Sequence, residues 1–527
     1  MSTLTGMGAL TRFALRRDRV RIAVWIAAIV LLVLSTAAST KGLYPTQADL
    51  DQAAVASQDN PAALAFNGPA VALDTLGGQV AFQVGAIGLV VVGLMALLMV
   101  VRLTRTEEES GRLELIRSMG VGRHAPLASG LLVVSAMCVV VGVLVTASLL
   151  SQDLPVAGSV VLGASFTVLG LVFVGVAGVA AQVTENPRVA SGLSGAVLGV
   201  SFAVRAIGDV GDGTVSWLSP IGLVQKSRPY ADDVWWPLLV GLAVVAGLVA
   251  GAVSLASHRD FGAGLVAPRP GPPVADESLV RPLGLALRLQ RPAILWWAFA
   301  LLLTGIAYGS IADSIEEFVA DNEAIADVIA SSGGASLTDS YLGTSLLILA
   351  LVAGGAALQS TLRLRGEETA GRAELLLSTP TSRWAWMRDH VVVALVGSAF
   401  TVVAGGFGVG ATYGLVIGDL GQAPRLMAAS LVYVPAVWTF VGVAAALFGV
   451  VPRVANAAWA LLAGALVVAM FGPVLDLPGR VLDLSPFQHV PQMPAAGLSV
   501  VPLAVLLALA AVTTAVGFAG FRRRDLG

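Results

Sequence analysis

The segment RTEEESGRLELIRSMGVGR, residues 105–123, concentrates charge between two long apolar runs. A second segment, RGEETAGRAELLLSTPTSR at residues 365–383, repeats its pattern 260 positions later. Both fit R-x-E-E-x-x-G-R-x-E-L-x-x-S-x-x-x-x-R, which has nine fixed positions. Because only 12% of the chain is charged, so many matches at one constant offset indicate two copies of one element. These segments are the first and the second charged loop.

Apolar runs like those beside the charged loops recur along the whole chain. Of its 527 residues, 56% are hydrophobic and 12% are charged, whereas ordinary globular proteins carry about 25% charged residues. An apolar window of about 20 residues is long enough for a helix to cross a bilayer, and these runs lack the alternation of barrel strands. We therefore predict an all-α polytopic membrane protein with twelve spans, at residues 20–38, 80–101, 126–150, 157–182, 189–208, 237–256, 293–312, 341–362, 391–416, 427–450, 454–474 and 499–520.

The basic residues fall mainly on one side of these spans. If the N-terminus is placed inside and the spans alternate, all but six of the 31 lysines and arginines lie on the inner side. Excess Lys and Arg in short loops marks the cytoplasmic face, so we predict a plasma-membrane protein with both termini cytoplasmic. The six others lie on or near the outer side, and we expect Arg205 simply to extend outward from its span: Lys41, Arg205, Lys226, Arg228, Arg425 and Arg480.

Further matched segments divide the chain into two halves of six spans each. We predict a parallel duplication, with residues 1–262 as the first half, 263–291 as a Pro-rich cytoplasmic linker and interfacial helix, and 292–527 as the second half. Each half opens with an Arg-rich amphipathic segment that we expect to lie along the inner membrane surface. The matched pairs are FALRRDRVRIAVW (13–25) with LALRLQRPAILWW (285–297), NPRVAS (186–191) with VPRVAN (451–456), WLSPIG (217–222) with DLSPFQ (483–488), and HRDFG (258–262) with RRDLG (523–527).

Each charged loop has the pattern of a short amphipathic helix beneath the membrane. In the first loop, acidic residues suit the positive N-terminal end of a helix and Arg117 suits its last turn. Gly120 in one copy and Pro380 in the other end the helix. A merely solvated loop has no need to keep these residues at one spacing, so we predict a docking helix. An acidic outer segment, residues 313–334, also has the pattern of a short amphipathic helix.

The charged loops resemble the E-x-x-x-G-x-x-E-x-L-x-x-x-P-x-x-R signature of type-2 ATP-binding-cassette permeases. The second loop matches it at Glu367, Gly371, Glu374, Pro380 and Arg383, whereas the first has glycine in the place of the proline. Over its full length the chain is similar to actinobacterial permeases with twelve fused spans that export polyketide antibiotics and other drugs. The resemblance implies two parallel six-helix repeats with a fold like that of type V exporters.

The resemblance also implies a partner. In that family this cytoplasmic helix is the coupling helix, which docks onto a nucleotide-binding subunit. We therefore expect two ABC ATPase subunits, as a homodimer or as two different chains, with ATP and Mg on the partner and no cofactor, catalytic residue or metal on this chain. Small hydrophobic substrates and membrane lipid are the other expected partners, and nucleic acid is not expected. The implied docking residues are Glu107, Glu108, Gly111, Arg112, Glu114, Leu115, Arg123, Glu367, Glu368, Gly371, Arg372, Glu374, Leu375 and Arg383.

Two further expectations concern the transport path. In such exporters the loop between spans five and six of each half folds as re-entrant helices, here at about residues 209–235 and 475–498. We also expect a cavity between the halves, lined by their second and fifth spans, although helix packing is the better explanation of each candidate residue taken alone. These candidates are Phe82, Gln83, Phe202, Thr344, Gln359 and Trp459.

Neither lysine of the sequence, Lys41 or Lys226, stands in the G-x-x-x-x-G-K-[ST] pattern of a P-loop. We therefore predict a transport subunit without an ATPase site of its own. An ion-coupled secondary transporter of the facilitator type would need an ionisable residue within a span, and a membrane enzyme would need a polar constellation at membrane depth. Neither feature is evident in the spans. Export of lipid or polymer in place of drugs remains open.

Overall fold

The computed structural model describes residues 3–58, 61–109, 120–260, 262–267, 271, 273–312, 337–471 and 478–524. Throughout these ranges the regular structure is helical, and they contain no strand. The contacts divide the chain into two units, Met1–Pro270 and Gly271–Gly527. The division falls within the segment that the sequence predicts as a linker. The predicted helix at 313–334 lies outside the described residues.

In its described residues the first unit contains six long helices and several short ones. The long helices carry the six predicted spans, α4 forms the start of the second span, and the other short helices lie in the connections. The elements are α1 (Met7–Leu43), α2 (Gln47–Gln58), α3 (Pro61–Asn67), α4 (Leu76–Gly85), α5 (Ile87–Leu103), α6 (Arg105–Glu109), α7 (Ala125–Leu150), α8 (Val156–Val183), α9 (Pro187–Val210), a 3-10 turn (Val215–Leu218), α10 (Pro220–Gln225) and α11 (Trp236–Ser257).

The second unit has a similar order of long and short helices. It begins with a short helix that precedes its first span. The elements are α12 (Glu277–Val280), α13 (Pro282–Ile311), α14 (Leu337–Thr369), α15 (Arg372–Leu377), α16 (Arg383–Ile417), α17 (Gln422–Leu431), α18 (Val434–Val450), a 3-10 turn (Pro452–Ala457), α19 (Ala458–Phe471), α20 (Gly479–Leu482), a 3-10 turn (Pro486–His489) and α21 (Val500–Arg523).

Twelve helical stretches in the described part of the chain are long and apolar enough to cross a membrane. This confirms the predicted all-α fold with twelve spans. The order of burial is the same in both units: the second and fourth spans are mostly buried, the third is half buried, and the first, fifth and sixth are mostly exposed. Since lipid is as apolar as a protein interior, the exposed faces of these helices suit a membrane environment.

The first span of each unit is longer than the sequence predicts. Helix α1 has 37 residues, so at 1.5 Å per residue it is about 55 Å long, well beyond a hydrocarbon core of about 30 Å. Its Arg-rich start is continuous with the span. In the second unit α13 likewise runs through Pro292, so the predicted boundary at 291/292 falls inside a helix. A proline inside a helix removes one hydrogen bond and bends the helix without having to end it.

Two predicted spans are divided into two helices. The second span breaks at Ala86, between α4 and α5, where the side chain of Gln225 donates to the carbonyl oxygen of Gly85 at 3.1 Å. The tenth span breaks between α17 and α18, where Pro435 lies in the first turn of α18. At the first break the carbonyl oxygen of Gly85 accepts a hydrogen bond from a side chain, and at the second Pro435 has no backbone N–H to continue the helical hydrogen bonds. Each change interrupts the helix locally.

Helices α18 and α21 of the second unit touch backbone to backbone. A Cβ atom added to Gly449 would lie 2.0 Å from the carbonyl oxygen of Gly517. Small residues allow such close approach between membrane helices, and the added packing stabilises their association. The close pairing of the fourth and sixth spans therefore requires glycine at position 449.

Replacing Gly449 with alanine is expected to lower the free energy of unfolding by about 1–3 kcal/mol, because the new methyl group overlaps backbone that has to move. The measurement is the thermal midpoint of the purified chain in detergent. The matched control is Gly464→Ala in α19, where an added Cβ meets nothing within 4 Å. Equal midpoints for the two variants would contradict the close packing of α18 on α21.

Candidate functional site

The first charged loop is described up to Glu109 and again from Gly120. Four of its predicted docking residues lie outside the described residues, so the structure places only the acidic start of the loop and its last arginine. Those four are Gly111, Arg112, Glu114 and Leu115.

Glu108 of the first loop is held by two arginines. Arg259, just beyond the end of α11, donates to both carboxylate oxygens, at 2.7 and 3.2 Å, and Arg105 donates to one of them at 2.7 Å. Arg259 also donates to the side chain of Gln182 at 2.7 Å. The three charged side chains are at most 10% exposed. Glu108 therefore faces the interior of its unit and not the solvent.

Glu368 of the second loop is held in the same way. Arg524, just beyond the end of α21, donates to its two carboxylate oxygens at 2.6 and 2.8 Å. Arg365 lies 3.6 Å from one of these oxygens. The neighbouring Glu367 contacts Arg372 at 2.6 Å and Arg363 at 3.3 Å. Both glutamates of the second loop are therefore buried among arginines.

The last arginine of each charged loop completes the arrangement. Arg123 donates to the carbonyl oxygen of Arg259 at 2.9 Å, and Arg383 donates to the carbonyl oxygen of Arg524 at 2.7 Å. Each unit thus has a loop clamp. The first loop clamp consists of Glu108, Arg259 and Arg123, and the second of Glu368, Arg524 and Arg383.

Sequence reasoning did not select Arg259 or Arg524 as functional residues. The signal was present, because the matched segments HRDFG and RRDLG align these two arginines. What the sequence does not give is the distance between each arginine and its glutamate, which lie 151 and 156 positions apart along the chain.

The exposed face of the second loop is the helix α15. It begins after Gly371, whose φ of +70° is in the left-handed region that favours glycine. Ala373 is buried beneath the helix, whereas Leu375 is 73% exposed and Glu374 is exposed as well. A single exposed leucine is common on protein surfaces, so what distinguishes Leu375 is its place on a helix whose base is buried in ion pairs. Among the predicted docking residues of the second loop, Gly371, Arg372, Glu374 and Leu375 are exposed.

A second charged cluster lies beside the start of the first charged loop, at the same end of the first unit. Asp18 is buried in α1 and pairs with Arg102 at 2.8 Å, Arg17 at 3.0 Å and Arg21 at 3.1 Å. Arg17 in turn contacts Glu107 at 2.7 Å. This network joins the first span to the start of the charged loop. The sequence predicts an Arg-rich amphipathic segment here and misses the role of its central aspartate.

The second unit has an uncharged version of this cluster. Gln290 aligns with Asp18 when the Arg-rich openings of the two halves are matched. It is buried, it contacts the side chain of His390 at 3.1 Å, and it accepts a hydrogen bond from Ser360. The two units therefore keep polar contacts at this position but differ in charge.

The structure places the path candidates of the first unit in internal contacts. Phe82 is buried and lines a small cavity beside Gln225 and Arg228. Gln83 accepts a hydrogen bond from Thr40 at 3.1 Å. Phe202 lies under the guanidinium of Arg205, whose central carbon is 4.5 Å from the centroid of the phenyl ring. These contacts do not bring the three side chains together.

The path candidates of the second unit include a close group. Trp297 donates from its indole nitrogen to the side-chain oxygen of Gln359. A Cβ atom added to Gly355 would lie 3.3 Å from Trp297 and 3.7 Å from Trp459, so both indoles border the same glycine. Trp297, Gln359 and Trp459 form what we call the indole–amide group. Thr344 stands apart and donates to the backbone of its own helix.

The connections between the fifth and sixth spans contain short helices. The first outer segment, residues 211–235, is named for its predicted side of the membrane and includes α10, whose first turn is capped by the hydroxyl of Ser219. Trp217 stacks on Trp236 with 5.1 Å between ring centroids, and Leu218 is 81% exposed. The second outer segment, residues 478–499, buries Phe487 against Phe440 and leaves Leu484 80% exposed.

Tyr230 anchors the first outer segment. Its hydroxyl lies 3.0 Å from the hydroxyl of Ser159, and burial raises the pKa of Tyr230 to about 12. The ring packs against two glycines, since an added Cβ would come within 2.4 Å of it at Gly77 and 2.2 Å at Gly158. The outer segment is therefore fixed to α4 and α8 by one side chain.

Arg205 does not extend outward, so that expectation was wrong. Its side chain is fully buried and pairs with Asp209 at 3.4 Å. It donates to the carbonyl oxygens of Ala65 at 2.7 Å and Leu64 at 3.3 Å, which lie in the last turn of α3. Cations stabilise the negative C-terminal end of a helix. Arg205 therefore ties the fifth span to the connection after α1.

Residues that favour metals are scattered. Cys138 is buried within the third span. In the ranges that the structure describes, no three His, Cys, Asp or Glu side chains lie close enough to hold a metal ion. Buried carboxylates near the charged loops, among them Asp18, Glu108 and Glu368, are instead paired with arginines.

Comparison with known proteins agrees with this architecture. The sequence model of the family described as "Multidrug efflux system permease Rv1217c, C-terminal domain" matches residues 8–259 and 279–522. The chain is also similar to the multidrug efflux system permease protein Rv1217c of Mycobacterium tuberculosis. The two are 39% identical over 528 residues, which cover all of this chain and 96% of that protein.

Proposed function

We propose, since the chain belongs to the Rv1217c family of multidrug efflux permeases, that it is the membrane subunit of an ATP-binding-cassette exporter. Its family and the twelve apolar helices of its described residues support a multi-pass membrane transport subunit rather than an enzyme. In the proposal, both termini and both charged loops face the cytoplasm. One ATPase subunit docks on each charged loop, and ATP and Mg bind to those partners.

The observation that carries this proposal is the build of the second charged loop. The glutamates at its start are buried in ion pairs, which hold the start of the loop in place against the rest of the unit. Its short helix α15 presents an exposed leucine and an exposed glutamate. A partner gains affinity from a rigid anchor because little ordering is needed on binding. The first loop repeats the same base at Glu108 and Arg259.

The proposed cargo is hydrophobic or amphipathic drugs. The family name supports drug efflux, and of the six candidate path residues three are aromatic and none is charged. Within the second unit, the indole–amide group offers two flat apolar faces beside one amide. Aromatic faces of this kind bind planar drugs by stacking, and the amide adds one directed hydrogen bond.

The test is co-purification. The tagged chain is expressed with the ABC ATPase encoded beside it, and co-elution and ATP hydrolysis are scored. We expect a stable complex that hydrolyses ATP faster than the ATPase alone. A chain that never retains the ATPase, yet transports drugs on a proton gradient, would contradict the proposal and favour a facilitator-type transporter.

Replacing Trp459 with alanine is expected to lower the efflux of planar aromatic drugs by about 2–10-fold, because an aromatic contact contributes about 0.5–1.5 kcal/mol. The measurement is the rate of drug efflux from loaded cells at matched expression. The control is Trp296→Ala, since Trp296 neighbours Trp297 on the same helix but contacts Phe299. An equal loss with both variants would show that the indole–amide group has no special role.

A further inference from the structure

In each loop clamp the charged loop binds both the side chain and the backbone carbonyl oxygen of one arginine. The side chain of Arg524 is fixed by both oxygens of Glu368, and its carbonyl oxygen is fixed by Arg383. Bidentate pairs of arginine and carboxylate define orientation as well as distance. The residue that follows the sixth span is thereby fastened to both ends of the charged loop.

The first unit repeats this arrangement with different surroundings. Arg259 bonds to Gln182, whereas Arg524 lies over the rings of Phe448 and Phe521, at 4.8 and 5.2 Å from their centroids. The supporting contacts thus differ, while the pairing of glutamate with arginine is the same. Two halves that differ elsewhere keep this one connection.

The helix on the other side of each clamp leads straight to an outer segment. Helix α11 starts at Trp236, next to the first outer segment, and ends at Ser257, two residues before Arg259. Helix α21 starts at Val500, next to the second outer segment, and ends beside Arg524. Helices of 22 and 24 residues are rods of about 33–36 Å, long enough to cross the bilayer.

We propose that Arg259 and Arg524 are positioning residues that make each charged loop and the sixth span of its unit move as one body. This inference rests on the proposed function, in which the ATPase pushes on the charged loops. A push on a loop then reaches the outer segment through the clamp and the helix. The exposed leucines Leu218 and Leu484 stand at that far end. Without the clamp, movement of the charged loop is not transmitted to the sixth span.

The experiment uses the complex of the full chain with its ATPase. Arg524→Gln is made alone and compared with the exchanged pair Glu368→Arg/Arg524→Glu. We expect Arg524→Gln to retain the ATPase and its basal hydrolysis but to export at least about fivefold less drug per ATP, the lower end of typical coupling between sites. The exchanged pair is expected to recover part of the loss, because it restores the attraction between the two positions while the new arginine is repelled by Arg365.

Two further variants keep the test decisive. Arg524→Lys retains the charge but not the two-pronged geometry, and we expect a folded complex whose drug export per ATP is still reduced. Arg522→Gln is the control, because it removes an exposed arginine from the last turn of α21, two residues before Arg524. We expect it to change nothing.

The possible results separate the two proposals. Normal export per ATP in Arg524→Gln would overturn the clamp. Loss of ATPase binding in Arg524→Gln would also overturn it, because the clamp would then only build the docking surface. Failure of the unaltered chain to bind the ATPase would instead refute the proposed function.

Discussion

Replacing Arg205 with methionine is expected to lower the free energy of unfolding by about 3–5 kcal/mol, since one partner of a buried ion pair is left behind. Asp209 would lose its cation while remaining 2% exposed. The last turn of α3 would also lose the donor to its carbonyl oxygens. The measurement is the thermal midpoint in detergent, together with the yield of folded protein.

A double variant separates charge from packing. In Arg205→Met/Asp209→Asn no lone carboxylate is buried, so we expect it to be more stable than Arg205→Met alone. The control is Arg425→Met, which removes a bidentate but solvent-exposed partner of Asp339. Exposed pairs contribute about 0–1 kcal/mol. A loss as large with Arg425→Met as with Arg205→Met would contradict the role assigned to burial.

Replacing Leu375 with aspartate is expected to weaken ATPase binding by at least about tenfold, because a central anchor of an interface contributes about 2 kcal/mol. Leu375 is 73% exposed on α15, so the fold has little reason to change. The new carboxylate would add to the charge of the neighbouring Glu374 and would be costly to bury against a partner. Drug efflux is expected to fall together with binding.

The control for Leu375 is an equally exposed leucine elsewhere. Leu484→Asp in the second outer segment changes a side chain that is 80% exposed. We expect ATPase binding to stay at the unaltered level in this variant. The measurement is the amount of ATPase that co-elutes with the tagged chain at several concentrations. Equal binding by the Leu375 and Leu484 variants would show that α15 is not the docking surface.

The spans and the charged loops could be predicted because they depend on local composition. An apolar run of about 20 residues requires a helix in lipid, whatever it packs against. The spacing of Gly371 and Glu374 likewise predicts the short helix of the second charged loop from nearby residues alone. The left-handed backbone at Gly371 explains why glycine stands there. Such features need no knowledge of distant parts of the chain.

Arg205 could not be predicted for the opposite reason. A single arginine near the end of a span is usually explained by extension towards water. Its actual acceptors are the carbonyl oxygens of residues 64–66, about 140 positions earlier in the chain. Asp18 is similar, because Arg102, one of its arginines, comes from the second span. Only the packing of the helices brings these partners within reach.

The loop clamps lie between these two cases. The repeats of the sequence align Arg259 with Arg524 and Glu108 with Glu368. Two matched pairs at similar separations along the chain were compatible with contact, yet no rule of spacing connects them. The structure supplies the missing link by bringing the end of each sixth span against its charged loop.

The most direct test of the account is drug uptake into inside-out membrane vesicles that contain the chain and its ATPase. We predict uptake that requires ATP, stops with an ATPase-inactive partner, and continues when a protonophore collapses the pH gradient. Uptake driven by an imposed pH gradient in vesicles without the ATPase would contradict the account.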